Sequence, residues 1–186
     1  MQAYREHRRR VSALARSLQR GQGLCVLGAG NCDDVELLEL VEAFGNVHLV
    51  DLLPRAGKTA EAMVSAIAAG PFDVVLSACA LTQLWLPLKR TLVLSSSEGQ
   101  RLFALLSLTH LLTMARLVRP GGSAALVTEV AVGAAAEPNL GVLLMLLREH
   151  PELSLLVRDL RLIEPWSWTL DGAKASVHAV VFSRAS

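Results

Sequence analysis

Apolar and polar positions along the chain fall into blocks whose period changes from helical to strand-like and back. Residues 4–20 set Val11, Leu14 and Leu18 at helical spacing among arginines, which predicts an amphipathic leading helix within residues 1–22. Leu24–Leu27 is a short apolar run entering Gly28-Ala29-Gly30, the pattern of a buried strand ending in a tight turn. Asp33 and Asp34 then open a helical pattern through Val35, Leu37, Leu38 and Val41, and acids suit the positive end of a helix dipole. Gly45-Asn46 stops it, and Val47–Asp51 reads as a second strand ending in an acid.

The rest continues the alternation. Thr59–Ala69 is helical in pattern, Phe72–Ser77 is a third buried strand, and Gln100–Val118 is a long helix closed by Arg119-Pro120-Gly121-Gly122. A strand over Ser123–Val130 and a helix over Leu140–Arg148 follow. Leu160–Trp168 and Ala175–Ser183 flank Asp171-Gly172, a hairpin signal. The expected architecture is a single α/β domain over 1–186. It has a Rossmann-like, mostly parallel sheet, helices on both faces and a C-terminal antiparallel hairpin.

Composition adds constraints. A hydrophobic fraction of 52% fits strands buried on both faces, and a net charge of +1 gives no footprint for nucleic acid or an anionic membrane. The basic run Arg5–Arg10 reads as a solvated helix face. Three cysteines in no ligand-like spacing predict neither a disulfide framework nor a structural zinc site. The arginine-rich start lacks the apolar segment of a signal peptide, and no apolar run reads as a bilayer span, so the cytoplasm is the expected compartment.

The candidate chemistry centres on the glycine turn. Residues without bulk let backbone approach a ligand closely, and the following helix N-terminus offers unpaired N–H groups. Asp51 lies 23 residues after Gly28, where a doubly wound sheet presents an acceptor to a ribose diol. Cys79, His110, Glu129, Trp166 and Trp168 are further polar or aromatic positions near predicted strand and helix ends. Cys79 reads as a small buried hydrophobe and His110 as a hydrogen-bonded core or helix-face residue. Glu129 is either a substrate contact or a loop carboxylate. The tryptophans either pack on a helix or line a substrate surface.

Several of these segments together resemble the class I S-adenosylmethionine-dependent methyltransferases. Val26-Leu27-Gly28-Ala29-Gly30-Asn31-Cys32 is similar to the family's first motif, and Val47–Asp51 to its second strand. Phe72–Leu84 resembles the fourth strand and following loop, Leu117–Gly122 the Pro-Gly-Gly turn, and the closing hairpin strands six and seven. The resemblance implies an S-adenosylmethionine cofactor with Gly28, Ala29, Gly30 and Asn31 at its methionine part. Asp51 would lie on the ribose and Leu52 on the adenine, with Ser77 and Ala78 between methionine and substrate. It implies methyl transfer to a small-molecule or protein acceptor. The chain departs from the pattern at Val26, where the family carries an acid, and at Cys32, where it carries a third glycine. Residues 52–71 leave room for one helix but not also for the family's third strand. That shortfall motivates an alternative, a non-catalytic scaffold subunit or homo-oligomer on the same fold. A nicotinamide-dependent oxidoreductase is the weaker alternative, because Asp33 stands where a dinucleotide fingerprint needs its last glycine.

Overall fold

Strands β1 (Gly23–Leu27), β2 (Asn46–Val50) and β3 (Phe72–Ala78) run parallel, with β2 and β3 flanking β1. The computed structural model describes residues 2–186 apart from positions 19, 30–31, 51–68, 94, 132–139 and 171–172. Strand β4 (Val118–Ala131) adds in parallel to β3, while β6 (Ala173–Arg184) and β5 (Val157–Leu170) close the sheet as an antiparallel pair. The resulting order is β2-β1-β3-β4-β6-β5, which is the expected mostly parallel sheet with its terminal hairpin.

Strand alternation splits the core in two. Leu24, Val26, Val74, Leu76, Ala125 and Val127 face helices α1 (Gln2–Ser17) and α2 (Leu37–Phe44), through Val11, Ala15, Leu40 and Phe44. Cys25, Leu27, Val75, Ala124 and Leu126 face the opposite side. There they meet α3 (Ala80–Thr91), α4 (Ser96–Leu117), α5 (Leu140–Glu149) and α6 (Pro151–Leu156). Successive strand side chains therefore enter different cores, so the central strands are apolar over most of their buried length.

Three segments differ from the sequence pattern. The helix after the glycine turn begins at Leu37 rather than at Asp33. Cys32 sits at φ 59°, and the Cys32 and Val35 N–H groups donate back to Ala29 O and Cys32 O in tight turns. The Glu36 N–H donates to Ser12 Oγ of α1 at 2.7 Å, so donors that a helix from Asp33 would need are already used. The loop expected after the third strand, up to Leu84, is instead the start of α3, where Leu81 and Trp85 bury one face. The Pro-Gly-Gly turn is absorbed into β4 as a register shift between Phe72 and Val74 of its neighbour. Gly121 takes φ 75°, and a Cβ on Gly122 would lie 2.7 Å from Asp73 O, so both glycines are dictated locally. The helix expected over Thr59–Ala69 lies outside the described residues except for its last position.

Helix α4 starts in a capping box. Ser95 Oγ accepts from the Glu98 N–H at 3.3 Å, and the Glu98 carboxylate accepts from the Ser95 N–H at 2.9 Å. The Ser95 hydroxyl, 2.6 Å from the carboxylate, and then the Ser95 N–H hold the Glu98 carboxyl below its ordinary range. Ser95→Ala should lower unfolding free energy by about 1 kcal/mol in urea melts. An unchanged midpoint would mean that tertiary packing alone sets where α4 starts.

Candidate functional site

The carboxyl ends of β1, β3 and β4 converge at one edge of the sheet, where ligands of open α/β sheets bind. Gly28 follows β1 at φ 77°, and a Cβ there would stand 2.6 Å from Ala80 Cβ and 3.0 Å from Ala78 O. The turn can thus form only with glycine. The Gly28 and Ala29 N–H groups both donate to Val50 O, at 2.8 and 3.1 Å, which pins the turn to the end of β2. These two donors are consumed within the fold, contrary to the simple picture of a glycine turn presenting every N–H to a ligand.

Ser77 pairs in register with Leu27, so Ser77 and Ala78 stand beside the glycine turn. The Ser77 hydroxyl lies 2.8 Å from His110 Nε2 of α4, and both are buried. Burial lowers His110 to about 4 and keeps it neutral. His110 is therefore a hydrogen-bonded core residue that fixes the Ser77 rotamer. Gly30, Asn31, Asp51 and Leu52 lie outside the described residues.

Cys79 follows β3 at φ 52°, a left-handed conformation that costs a non-glycine residue about 1 kcal/mol. Its N–H donates to Val127 O at 3.0 Å, bridging the β3 and β4 ends just before α3 departs. The thiol is buried and pushed well above its ordinary range, chiefly by burial and then by the nearby Glu129 and Asp34 carboxylates. It is a packed, protonated thiol and no nucleophile.

Beside this edge lies a polar cluster that reaches across the whole sequence. His7 of α1 has no exposed surface. It stacks on Trp168 with ring centroids 4.4 Å apart, and Tyr4 stacks on the same indole at 5.4 Å. The Trp166 indole N–H donates to His7 Nδ1 at 3.1 Å. An Nδ1 that accepts carries no proton, so neutral His7 bears its proton on Nε2. That atom faces Asp34 Oδ1 at 3.5 Å. Glu129, near the end of β4, is pushed up to about 7 by burial and then by Asp34, partly offset by the Trp168 indole N–H. That N–H makes no hydrogen bond of good geometry, yet it lies near enough to favour the ionised carboxylate. Both tryptophans pack against α1, the first of the two roles left open above.

Tyr4, His7 and Asp34 escaped the sequence reading as site residues. One signal was present. His7 falls at helical spacing with Val11, Ala15 and Leu18, a polar residue in an otherwise apolar stripe. The basic face of α1 is partly neutralised, with Arg8 on Glu36 at 2.9 Å and Arg10 on Glu6 at 3.0 Å. Among the described residues, no group of three or more His, Cys, Asp or Glu side chains could hold a metal ion. No described helix is long and apolar enough to cross a membrane.

No protein-family profile matches the chain. No curated protein matches it. Solved structures do share its fold. The N-methyltransferase NodS from Bradyrhizobium japonicum superposes with a TM-score of 0.53 at 15% identity, over 99% of this chain and 97% of that one. The same enzyme in complex with S-adenosylhomocysteine gives 0.52 at 16% identity, over 98% and 87%. A Burkholderia thailandensis 1,6-didemethyltoxoflavin-N1-methyltransferase, with 1,6-didemethyltoxoflavin and S-adenosylhomocysteine bound, gives 0.55 at 15% identity, over 99% and 79%. The chain therefore has the class I methyltransferase fold. At these identities the likeness is one of fold.

Proposed function

We infer that this protein is an S-adenosylmethionine-dependent methyltransferase acting on a small-molecule or protein acceptor. The observation that carries the reading is the ligand edge itself. A glycine-only turn at the end of β1 stands beside Ser77 and Ala78, on a fold whose solved relatives hold S-adenosylhomocysteine. The electrostatics fit that group. Asp33, Asp34 and Glu129 put negative charge around Tyr4 and the ends of β1 and β4, which favours a sulfonium and opposes a pyrophosphate. The same charge weighs against the nicotinamide reading.

Bound there, S-adenosylmethionine would supply a methyl group on a cationic sulfur. The turn from Gly28 and Ala29 into Gly30 and Asn31 would hold its methionine part. Asp51 would take the ribose hydroxyls and Leu52 the adenine, as the resemblance implies. Ser77, held by neutral His110, and Ala78 would wall the methionine side without offering a competing charge. In-line displacement at such a methyl depends on alignment and exclusion of water, so the rigidity of this wall is its contribution.

Calorimetric titration with S-adenosylhomocysteine tests the reading, and saturable binding at micromolar ligand is expected. Absence of heat through the high micromolar range, with the protein folded, would reject the cofactor site and leave the scaffold alternative.

A further inference from the structure

The end of the sheet opposite the ligand edge carries a cavity of about 480 Å³. Ser123 of β4 and Val181 and Ser183 of β6 line it from the sheet, and Arg20, Arg158 and Arg161 stand around it. Strand register brings two of these arginines to one face. Arg158 pairs with Ser183 and Arg161 with Val181, so β5 takes three steps where β6 takes two. Without that bulge the two arginines would point to opposite faces. Asp159 makes the bend, at φ 53°. Val181 belongs to the α1-side core and Ser123 pairs with Ser183, so the serines and both arginines share that side of the sheet. Arg20 arrives on the chain leaving α1. Arg119 ion-pairs with Asp73 and donates from Nη2 to the Arg20 carbonyl at 3.4 Å, which ties this segment to β3.

The positive charge in this cavity is not balanced from within. Among the described residues, the Arg20 and Arg161 guanidiniums have neither a hydrogen bond nor an ion pair. Arg158 donates from Nη1 to two neutral carbonyls, Ser154 O at 2.7 Å and Val157 O at 3.0 Å, so its charge also lacks a carboxylate. Asp159 accepts from the Ser183 hydroxyl at 2.6 Å and ion-pairs with none of the three. Arg184 is excluded from the count, because its guanidinium turns to Arg116 O and Val118 O at the end of α4. Ser123 is buried, and its hydroxyl has no partner among the described residues.

We propose that this cavity binds a small soluble phosphomonoester by its dianionic phosphate. A guanidinium fork meets two phosphate oxygens at once, and a dianion can engage Arg20 and Arg161 together. The Ser123 hydroxyl adds a neutral donor beneath them. The volume falls among pockets of about 300–1,000 Å³ that enclose small molecules, so the organic part of the ester has room as well. The site does not depend on the methyl-transfer reading. It lies at the amino-terminal end of the paired part of β4, where Ser123 meets Val74, whereas the cofactor would sit at the carboxyl ends of β1 and β3.

Calorimetric titration with phenyl phosphate at pH 8, where the ester is a dianion, tests the site. Benzenesulfonate, of similar shape and single charge, is the comparison. In about 0.15 M salt, phenyl phosphate should bind at least about tenfold tighter than the sulfonate. The Arg20→Gln, Arg161→Gln double variant, its fold checked by circular dichroism, should lose at least about tenfold in phenyl phosphate affinity. Arg5→Gln, Arg9→Gln removes the same charge from the exposed face of α1 and should bind as the unaltered protein does. Equal binding of the two probes, or equal loss in the two double variants, overturns the proposal. Binding confined to vesicles containing phosphatidic acid, the membrane source of the same group, overturns it too. Saturation with S-adenosylhomocysteine should leave the phenyl phosphate titration unchanged, and competition would place the probe at the ligand edge and remove this site. Arginine-dependent phosphate binding without cofactor binding keeps the cavity and removes methyl transfer. Cofactor binding without it does the reverse.

Discussion

Gly28→Ala is expected to lower unfolding free energy by about 2–4 kcal/mol and to abolish S-adenosylhomocysteine binding. Two effects add. The φ of 77° is a left-handed conformation that costs a Cβ-bearing residue about 1 kcal/mol. The new methyl would also stand 2.6 Å from Ala80 Cβ and 2.9 Å from Ala80 Cα, and backbone cannot give as a flexible side chain would. Such overpacking adds about 1–3 kcal/mol. Gly45 supplies the control, because its φ is 72° but nothing lies within 4 Å of its added Cβ. Gly45→Ala should lose only the backbone share, about 1 kcal/mol. Urea denaturation of the two variants checks the difference, and equal losses would show that the contact with α3 is unimportant.

Glu129→Gln is expected to stabilise the protein at pH 8 by up to about 3 kcal/mol and to leave it nearly unchanged at pH 4. In the fold, burial and Asp34 raise this carboxyl from an ordinary 4.5 to about 7. Between those values the folded state holds a proton that the unfolded chain has released. Stability therefore declines as pH climbs through that window, and the full penalty stands above it. Glutamine removes the titration. His110 works in the opposite sense, because the fold depresses it from 6.5 to about 4. Below pH 6.5 the unfolded chain gains a proton that the folded state refuses, so stability is lost as pH falls toward 4. Thermal melts across pH 4–8 should show the variant keeping the acid limb and losing the decline on the neutral side. Parallel curves for both proteins would mean that Glu129 is already solvated in the fold.

The sheet was legible because its strands are short apolar runs bounded by glycine, proline and acids. Phe72–Ala78 and the terminal hairpin emerged nearly at their observed bounds for that reason. The ends of α2 and α3 were hidden by chemistry that periodicity does not carry. Asp33 and Asp34 have the composition of a helix start, yet Ser12 of a distant helix takes the Glu36 N–H and delays it. Pro87 sits inside α3, where the sequence pattern signals a break. The glycine turn, Ser77 and Ala78 could be placed because motif and strand end coincide. Glu129 and the tryptophans could be singled out but given no role, since their partners Asp34, His7 and Tyr4 come from the other end of the chain. No local pattern announces that meeting.

The hydrogen bond from Trp166 to His7 joins residues 159 positions apart. A ribosome extends the chain at roughly 5–20 residues per second, so α1 exists for many seconds before β5 emerges to receive it. During that interval Tyr4 and His7 have no indole to stack on, and no amino-terminal fragment can assemble this stacked cluster. Its assembly belongs to the slow class of folding events, which wait on a contact spanning most of the chain. The packing of α1 on the sheet is therefore completed only once β5 has emerged.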